Sequence, residues 1–548
     1  MTRNNETKTQ APASAPPLPR LPRGEGPGAK AAPLATSFWF PADSVEAQTR
    51  AGSAFTYRPG KLWLGRTTGA DALPVGWMDD RHVMTFAPSR AGKGTSGIIP
   101  NLCDYPGSMV VVDPKGENAE ETAARRGFGT SSLQGLHQDV HVLDPFGASK
   151  VAREYISSFD ALAGIRPGVD DALEKAAVLS EALVVTTGAR DAHWDESAIA
   201  LVEALILHVA SWPGFEDDRS LGRVRALLRD GDRAELKRFR VRAGAEGGGR
   251  GQRQPTAFDI LLTCMEHNEN FDGVISGAAS GLKDLGPRER GAILSTARRN
   301  LKFLDSPKMR DSLRAGDHCL DLAELKRSEA GVSVYLVLPA SLMQRHARWL
   351  RVVLSLMIYS LQSDNARPRC GHPVLAILDE FATLGHLPMV EAAAGYMAGY
   401  GLKIWAFLQD LSQLKRDYPD SWETFLGNAG LLQFFANTDL TTLEYLCRRL
   451  GEIEVVRETE TVTRSETAAL SDISDYDKVQ RARSGEGLRR LIGSFDLEND
   501  TQAKTSSVSE VESRAQVVQK TQLMTSDEIR RFFSRASGLQ IVALADYR

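Results

Sequence analysis

Two separated stretches carry side chains able to handle a phosphate. In His82–Asn101, HVMTFAPSRAGKGTSGIIPN, a short apolar run (Val83–Ala87) breaks into a small, basic, glycine-containing turn and then resumes as a helix. A strand that stops, turns through Pro88–Gly94 and enters a helix offers unpaired N–H groups and a positive dipole end to whatever fills the loop. Lys93 adds a point charge on a long stem, suited to the β- and γ-phosphates of a nucleotide. Ser89, Arg90, Ala91 and Gly92 before it and Gly94, Thr95 and Ser96 after it would form the cradle. The pattern departs from the usual phosphate loop at two places. Ala87 stands where the first Gly is usual, and Gly94 replaces the hydroxyl residue after the lysine, so a magnesium-ligating hydroxyl would come from Thr95 or, less directly, Ser96. A strand–turn–helix corner with a surface lysine is the plain alternative.

The second stretch is Val374–Glu380, VLAILDE, a continuous apolar run ending in two carboxylates, as a buried parallel strand does at its carboxyl edge. Ligands of open α/β sheets bind at that edge. Asp379 is placed to hold magnesium and Glu380 to polarise an attacking water, a pairing that points to nucleoside triphosphate hydrolysis when combined with the lysine loop. Gln409 ends another apolar run, LKIWAFLQ, where an amide can sense a γ-phosphate or position water; a strand-terminal glutamine is the bland reading.

Positioning these groups requires a sheet, and the chain supplies its strands in order. Its 548 residues suggest roughly three to four domain-sized units. A formal net charge of −4 gives no overall basic field, so nucleic-acid contact would need a local patch or an assembly. Five cysteines without ligand spacing read as reduced thiols. His137 and His141 share helical spacing but lie beside a strand-like segment, which argues against a metal there. No run reaches the ~18 apolar residues of a membrane-spanning helix.

Residues 1–37 form a Pro/Ala/Gly-rich tail expected to be disordered. Residues 38–150 begin with short aromatic pieces suggesting a small β entry, then the loop strand, SMVVVDPKGE and VHVLDPF, three strands separated by helical stretches. Residues 151–330 turn to helical periodicity, with a glycine loop near 240–254 and a basic cluster around Arg298 and Arg299. Residues 331–450 return to strands, 451–520 are polar and read as extended hairpins or disorder, and 521–548 close with a capped helix and a final strand. The fold class is therefore α/β, a mainly parallel sheet interrupted by an all-α segment.

The stretches APSRAGKGTSGIIPNL, GSMVVVDPKGENAEETA, HWDESAIALVEALIL, GAILSTARRNLKFL, VYLVLP, VLAILDEFATLGHLPMVEAAAGYMAGYGLKIWAFLQDLSQLKRDYPDSWETFLGNAG and LMTSDEIRRF, in this order, resemble the type IV secretion coupling proteins, the TraG/TraD-like ATPases of conjugative DNA transfer. That resemblance implies a RecA-like P-loop ATPase domain interrupted by an all-α domain, using ATP and Mg2+ at the interfaces of a homo-oligomeric, six-membered ring. By position it makes Lys93 the phosphate lysine, places Thr95 by the metal, makes Asp379 and Glu380 the Walker B pair and Gln409 the sensor-like amide. An arginine finger from a neighbour is implied, with Arg298, Arg348 and Arg351 as candidates.

The implied partners are a relaxase or relaxosome with single-stranded DNA, or a secreted protein, and the components of a type IV secretion channel. Family members generally begin with membrane-spanning helices and none is seen here, so a cytoplasmic protein, peripheral at the inner membrane through a partner, is expected. Two other functions fit the same residues: a nucleotide-switched recruitment adapter, and a cytoplasmic DNA pump or helicase unrelated to secretion.

Overall fold

The computed structural model describes residues 42–50, 54–185, 192–245, 254–472 and 502–545. The expected tail at 1–37 and much of the glycine loop lie outside them. The chain forms two compact units, one of which takes in 39–446 and 525–548, the other 447–524.

The first unit is built on strands that are mostly apolar and mostly buried. In chain order they are β1 (His82–Phe86), β2 (Met109–Asp113), β3 (Asp139–Leu143), β4 (Val332–Val337), β5 (Val374–Leu378), β6 (Leu402–Leu408), β7 (Ala429–Phe434) and β8 (Ile541–Leu544). Every residue of β1, β2, β4, β5, β6 and β7 is buried. Strands covered on both faces carry no polar alternation, which is why they read as continuous apolar runs. They form one eight-stranded sheet in the order β8-β7-β1-β6-β5-β2-β4-β3. All neighbours are parallel except β8, which runs antiparallel to β7. With Phe86 level with Leu408 and Leu378 level with Ala406, the chain leaves β1, β6 and β5 at the same edge.

Helices from Ala172–Leu183 through Glu324–Arg327 all fall between β3 and β4 and belong to the same compact unit as the sheet. The β entry differs from expectation. A nine-residue helix, Ala42–Arg50, precedes an antiparallel hairpin of Leu62–Arg66 with Pro74–Trp77. Its sequence, ADSVEAQTR, contains no glycine or proline and several good helix formers, a signal that the flanking aromatics obscure. In the second unit Glu452–Asp472 and Gln502–Gln522 pair as an antiparallel ribbon; the residues that join them, 473–501, lie outside the described part. Among the described residues no helix is long and apolar enough to cross a membrane.

After β1 and its loop, the chain winds one wide turn, Gly94–Ile98, that continues into the helix Ile99–Asp104. The helical half of this element is tied down twice. Asn101 is buried, and its side chain accepts from Trp63 N–H at 2.8 Å and donates to Trp63 O at 3.0 Å, joining helix to hairpin. At its C-terminal end, fully buried Arg126 donates to Leu102 O (2.7 Å), Tyr105 O (3.0 Å) and Gly107 O (2.8 Å), and also to Gln138 Oε1 and Ser333 Oγ. A cation at a helix C-terminus meets the negative end of the dipole. Burial pushes this guanidinium down to about 10. Replacing Arg126 by Met strands several carbonyls at once, so Arg126→Met should lower unfolding free energy by about 3–5 kcal/mol. Urea denaturation measures this, and a loss below 1 kcal/mol would refute the role.

Candidate functional site

The loop between β1 and the helix begins where Ala87 N–H still donates to Leu408 O at 2.8 Å, so its first residue remains held by β6. It then turns through Arg90 (φ +63°) and Gly92 (φ +98°), and only the glycine takes up its conformation without strain. Ser89 and Arg90 are exposed, Ala91, Gly92 and Gly94 are half-buried, and Thr95 and Ser96 are exposed on the first turn. Ser96 N–H and the Ser96 and Thr95 hydroxyls all donate to Gly92 O, at 2.9, 2.7 and 3.2 Å. This closes the loop into a compact turn.

Lys93 leaves that turn toward the end of β5. Its Nζ lies 2.9 Å from Asp379 Oδ1 and 2.8 Å from Glu380 Oε1. Gln409, at the end of β6, donates from Nε2 to Glu380 Oε2 at 3.3 Å. Four side chains from the ends of three adjacent strands thus meet. Gln409 is itself braced: its N–H donates to Gln413 Oε1 at 2.9 Å, and its carbonyl accepts from Asn437 Nδ2 at 3.4 Å. Asn437 lies beyond the end of β7, which stops at Phe434.

Burial disfavours the Lys93 ammonium, but the two carboxylates outweigh it and raise its pKa. Burial raises that of Asp379, with the adjacent Glu380 adding to the rise and Lys93 opposing it. Asp113, at the end of β2, is pushed up to about 6, first by burial and further by Asp379, although Lys115, Gly116 and Ala119 N–H groups all donate to it. Its oxygens are occupied with the turn into the next helix, so it is a structural acid.

Glu380 carries a feature invisible in the sequence. Its backbone is left-handed, φ +62° and ψ +46°, a conformation that costs a non-glycine residue about 1 kcal/mol or more. Thr383 holds it there, its N–H and hydroxyl both donating to Glu380 O, at 2.9 and 2.7 Å. Of the arginines considered for a finger, Arg298 donates to Leu228 O at 2.9 Å and Arg348 to Asn300 Oδ1 at 2.8 Å. Arg351 is buried and donates to His386 O.

Lys93→Met would leave Asp379, 17% exposed, beside Glu380 without a counter-charge. A cost of about 2 kcal/mol at pH 8 is expected. Because the folded pKa of Asp379 lies above its unfolded value, the penalty is full above the folded value and fades as pH falls toward the unfolded one. The gap between native protein and variant in urea should therefore narrow from pH 8 to pH 5, and Lys93→Met with Asp379→Asn should recover stability. A gap independent of pH would contradict the pairing.

A sequence profile of the family "Type IV secretory system Conjugative DNA transfer" matches residues 44–483. A conjugal transfer protein TraG of Escherichia coli is 28% identical over 415 residues, covering 73% of this chain and 60% of that protein. Protein VirD4 of Rhizobium radiobacter is 26% identical over 405 residues, covering 73% of this chain and 51% of its own length. The chain thus spans 60% or less of these two relatives. Among solved structures, the unbound monoclinic form of the bacterial conjugative coupling protein TrwBdeltaN70 has a TM-score of 0.51 at 16% identity, with 87% of this chain and 90% of that one covered. At that identity the likeness shows a shared RecA-like fold. Since the profile covers most of its length, the chain belongs to the type IV secretory system conjugative DNA transfer family.

Proposed function

We propose that the protein is an ATP-hydrolysing motor that receives a relaxase-bound DNA strand or a protein substrate and feeds it to a type IV secretion channel. The observation that carries this reading is the meeting of Lys93, Asp379, Glu380 and Gln409 at one sheet edge. An arriving triphosphate offers Lys93 a stronger partner than the carboxylates, so the ammonium moves from acid to phosphate and frees Glu380. The freed carboxylate then takes a hydrogen bond from water and aligns it with the γ-phosphate. Gln409, released from Glu380 Oε2, can bond the same water or a γ-phosphate oxygen.

The residues present suit magnesium. Asp379 Oδ1 is buried and, beyond its ion pair with Lys93, has no hydrogen-bond partner among the described residues. Thr95 presents an exposed hydroxyl on the first turn of the loop helix. Asp379 and Thr95 would hold the ion, which offsets charge on the phosphates when bound.

The family and its relatives' names support conjugative transfer as the setting. We place the protein at the cytoplasmic side of the inner membrane, working as a six-membered homo-oligomeric ring.

The test is steady-state ATP hydrolysis by the full chain with and without single-stranded DNA. DNA should stimulate the rate, and Lys93→Ala and Glu380→Gln should each lower it by about 100-fold or more. Glu380→Gln should retain nucleotide, since the substitution removes a competitor for Lys93 without removing a phosphate contact. Slow hydrolysis indifferent to DNA, with partner binding intact in Glu380→Gln, would instead establish the adapter.

A further inference from the structure

On the edge strand farthest from β8, away from the lysine loop, β3 carries Asp139 and His141 two residues apart and so on one face. A third side chain comes from a distant part of the chain. His318 follows the helix Pro307–Ser312 in the segment that returns toward β4, and its carbonyl accepts from Ser158 N–H at 2.9 Å. Ser157 N–H in turn donates to Val142 O at 3.0 Å, so the backbones bearing all three groups are pinned together. His141 Nε2 lies 3.1 Å from Asp139 Oδ2 and His318 Nε2 lies 3.7 Å from Asp139 Oδ1. His137, which shares helical spacing with His141 in the sequence, instead packs edge-on to Phe128.

Hydrogen-bond accounting shows what this cluster needs. Ser157 Oγ is 3.0 Å from His141 Nδ1, 2.8 Å from His318 Nδ1 and 3.2 Å from Tyr155 O. A hydroxyl has one proton. If Ser157 gives it to Tyr155 O, both rings must donate from Nδ1, and both neutral rings then turn a bare Nε2 lone pair toward the carboxylate. If it gives the proton to one ring, the other ring still does so. Lone pairs facing a carboxylate repel unless a positive charge lies between them, either a proton on one ring or a metal ion.

We propose that Asp139, His141 and His318 form a site for a divalent cation of the zinc class, with solvent completing the coordination. Two imidazole nitrogens and one carboxylate oxygen suit zinc, cobalt or nickel, whereas magnesium and calcium favour oxygen throughout. Ligands of tetrahedral zinc, each 2.0–2.1 Å from the ion, lie about 3.3 Å apart. The separations of 3.1 and 3.7 Å run to the two different oxygens of Asp139, and one ligand atom from each of the three residues lies within 4.8 Å of the other two, near enough for a single ion to draw them together. Ser157, accepting from both Nδ1–H groups, fixes the tautomer that frees both Nε2 atoms, the usual work of a group behind a metal-bound histidine. His141 is buried, while the side chain of Asp139 is 63% exposed and leaves a way in from solvent. A bound ion would clip the edge strand to the segment returning from the helices, well away from the nucleotide chemistry.

The test uses the full chain, stripped with a chelator and titrated with zinc chloride alone. Native protein should bind one zinc per chain and unfold at higher temperature with zinc than without. His318→Ala, which changes a partly exposed side chain, should bind at least about tenfold more weakly and lose the thermal shift. Cobalt in place of zinc should give the visible absorption of a tetrahedral nitrogen–oxygen site in native protein and not in Asp139→Asn. Zinc bound equally by native protein and His318→Ala would overturn the proposal, and so would no stoichiometric zinc on native protein, since a proton would then fill the cluster.

Discussion

An ammonium held between two carboxylates is the constraint around which the rest of this molecule is arranged. Lys93 comes from the loop after one strand, Asp379 and Glu380 from the end of another, and they are within 3 Å only because β6 alone separates β1 from β5. Any other strand order in which the loops left at different edges would leave each charge alone in a half-buried setting, which is costly. Such an ion pair adds little net stability, because desolvation consumes most of its Coulomb gain. Its value lies in specifying geometry and in being exchangeable: the lysine is poised by partners that a more highly charged ligand can replace.

The surroundings fix the parts that must not move. Asn101 ties the loop helix to the hairpin, and Arg126 gathers the carbonyls at its C-terminal end. Gln409 is braced by Gln413 and Asn437. Glu380 is held by Thr383 in a backbone conformation that an unconstrained glutamate would leave. Strain placed at the one carboxylate expected to act on water, with rigid supports on the flanking strands, is the distribution found where position matters more than stability.

What the sequence made legible follows from the range of the interactions involved. Strands β1, β2, β5 and β6 show themselves because burial on both faces makes them mostly apolar without alternation, and their ends announce Lys93, Asp379, Glu380 and Gln409. The mainly parallel sheet with helices between β3 and β4 follows from the same periodicities. Features that depend on a partner far along the chain stayed hidden. Nothing near Arg126 in sequence signals that it will be buried among neutral acceptors, since Ser333 arrives from another strand. The pairing of His141 with His318 is hidden for the same reason, whereas the left-handed Glu380 is held locally, by Thr383, in a turn that its residue types do not announce. The helix Ala42–Arg50 was missed for a local one, its weak helical signal lying between stronger aromatic ones.

Charge at the sheet edge bears on which ligand would suit it. Asp379 and Glu380 share one lysine, while burial first and Asp379 second push Asp113 up to about 6 despite three backbone donors. A bare polyphosphate entering such a place would draw Lys93 away and leave uncompensated carboxylates beside further negative charge. A polyphosphate carrying a divalent cation avoids this, because the ion gives Asp379 a partner at the moment the lysine leaves it. Under the proposed function, the acids that make the resting site stable without ligand also make it favour the metal-bound nucleotide over the free one. That selectivity follows from the excess of acid over base and does not depend on the identity of the nucleobase.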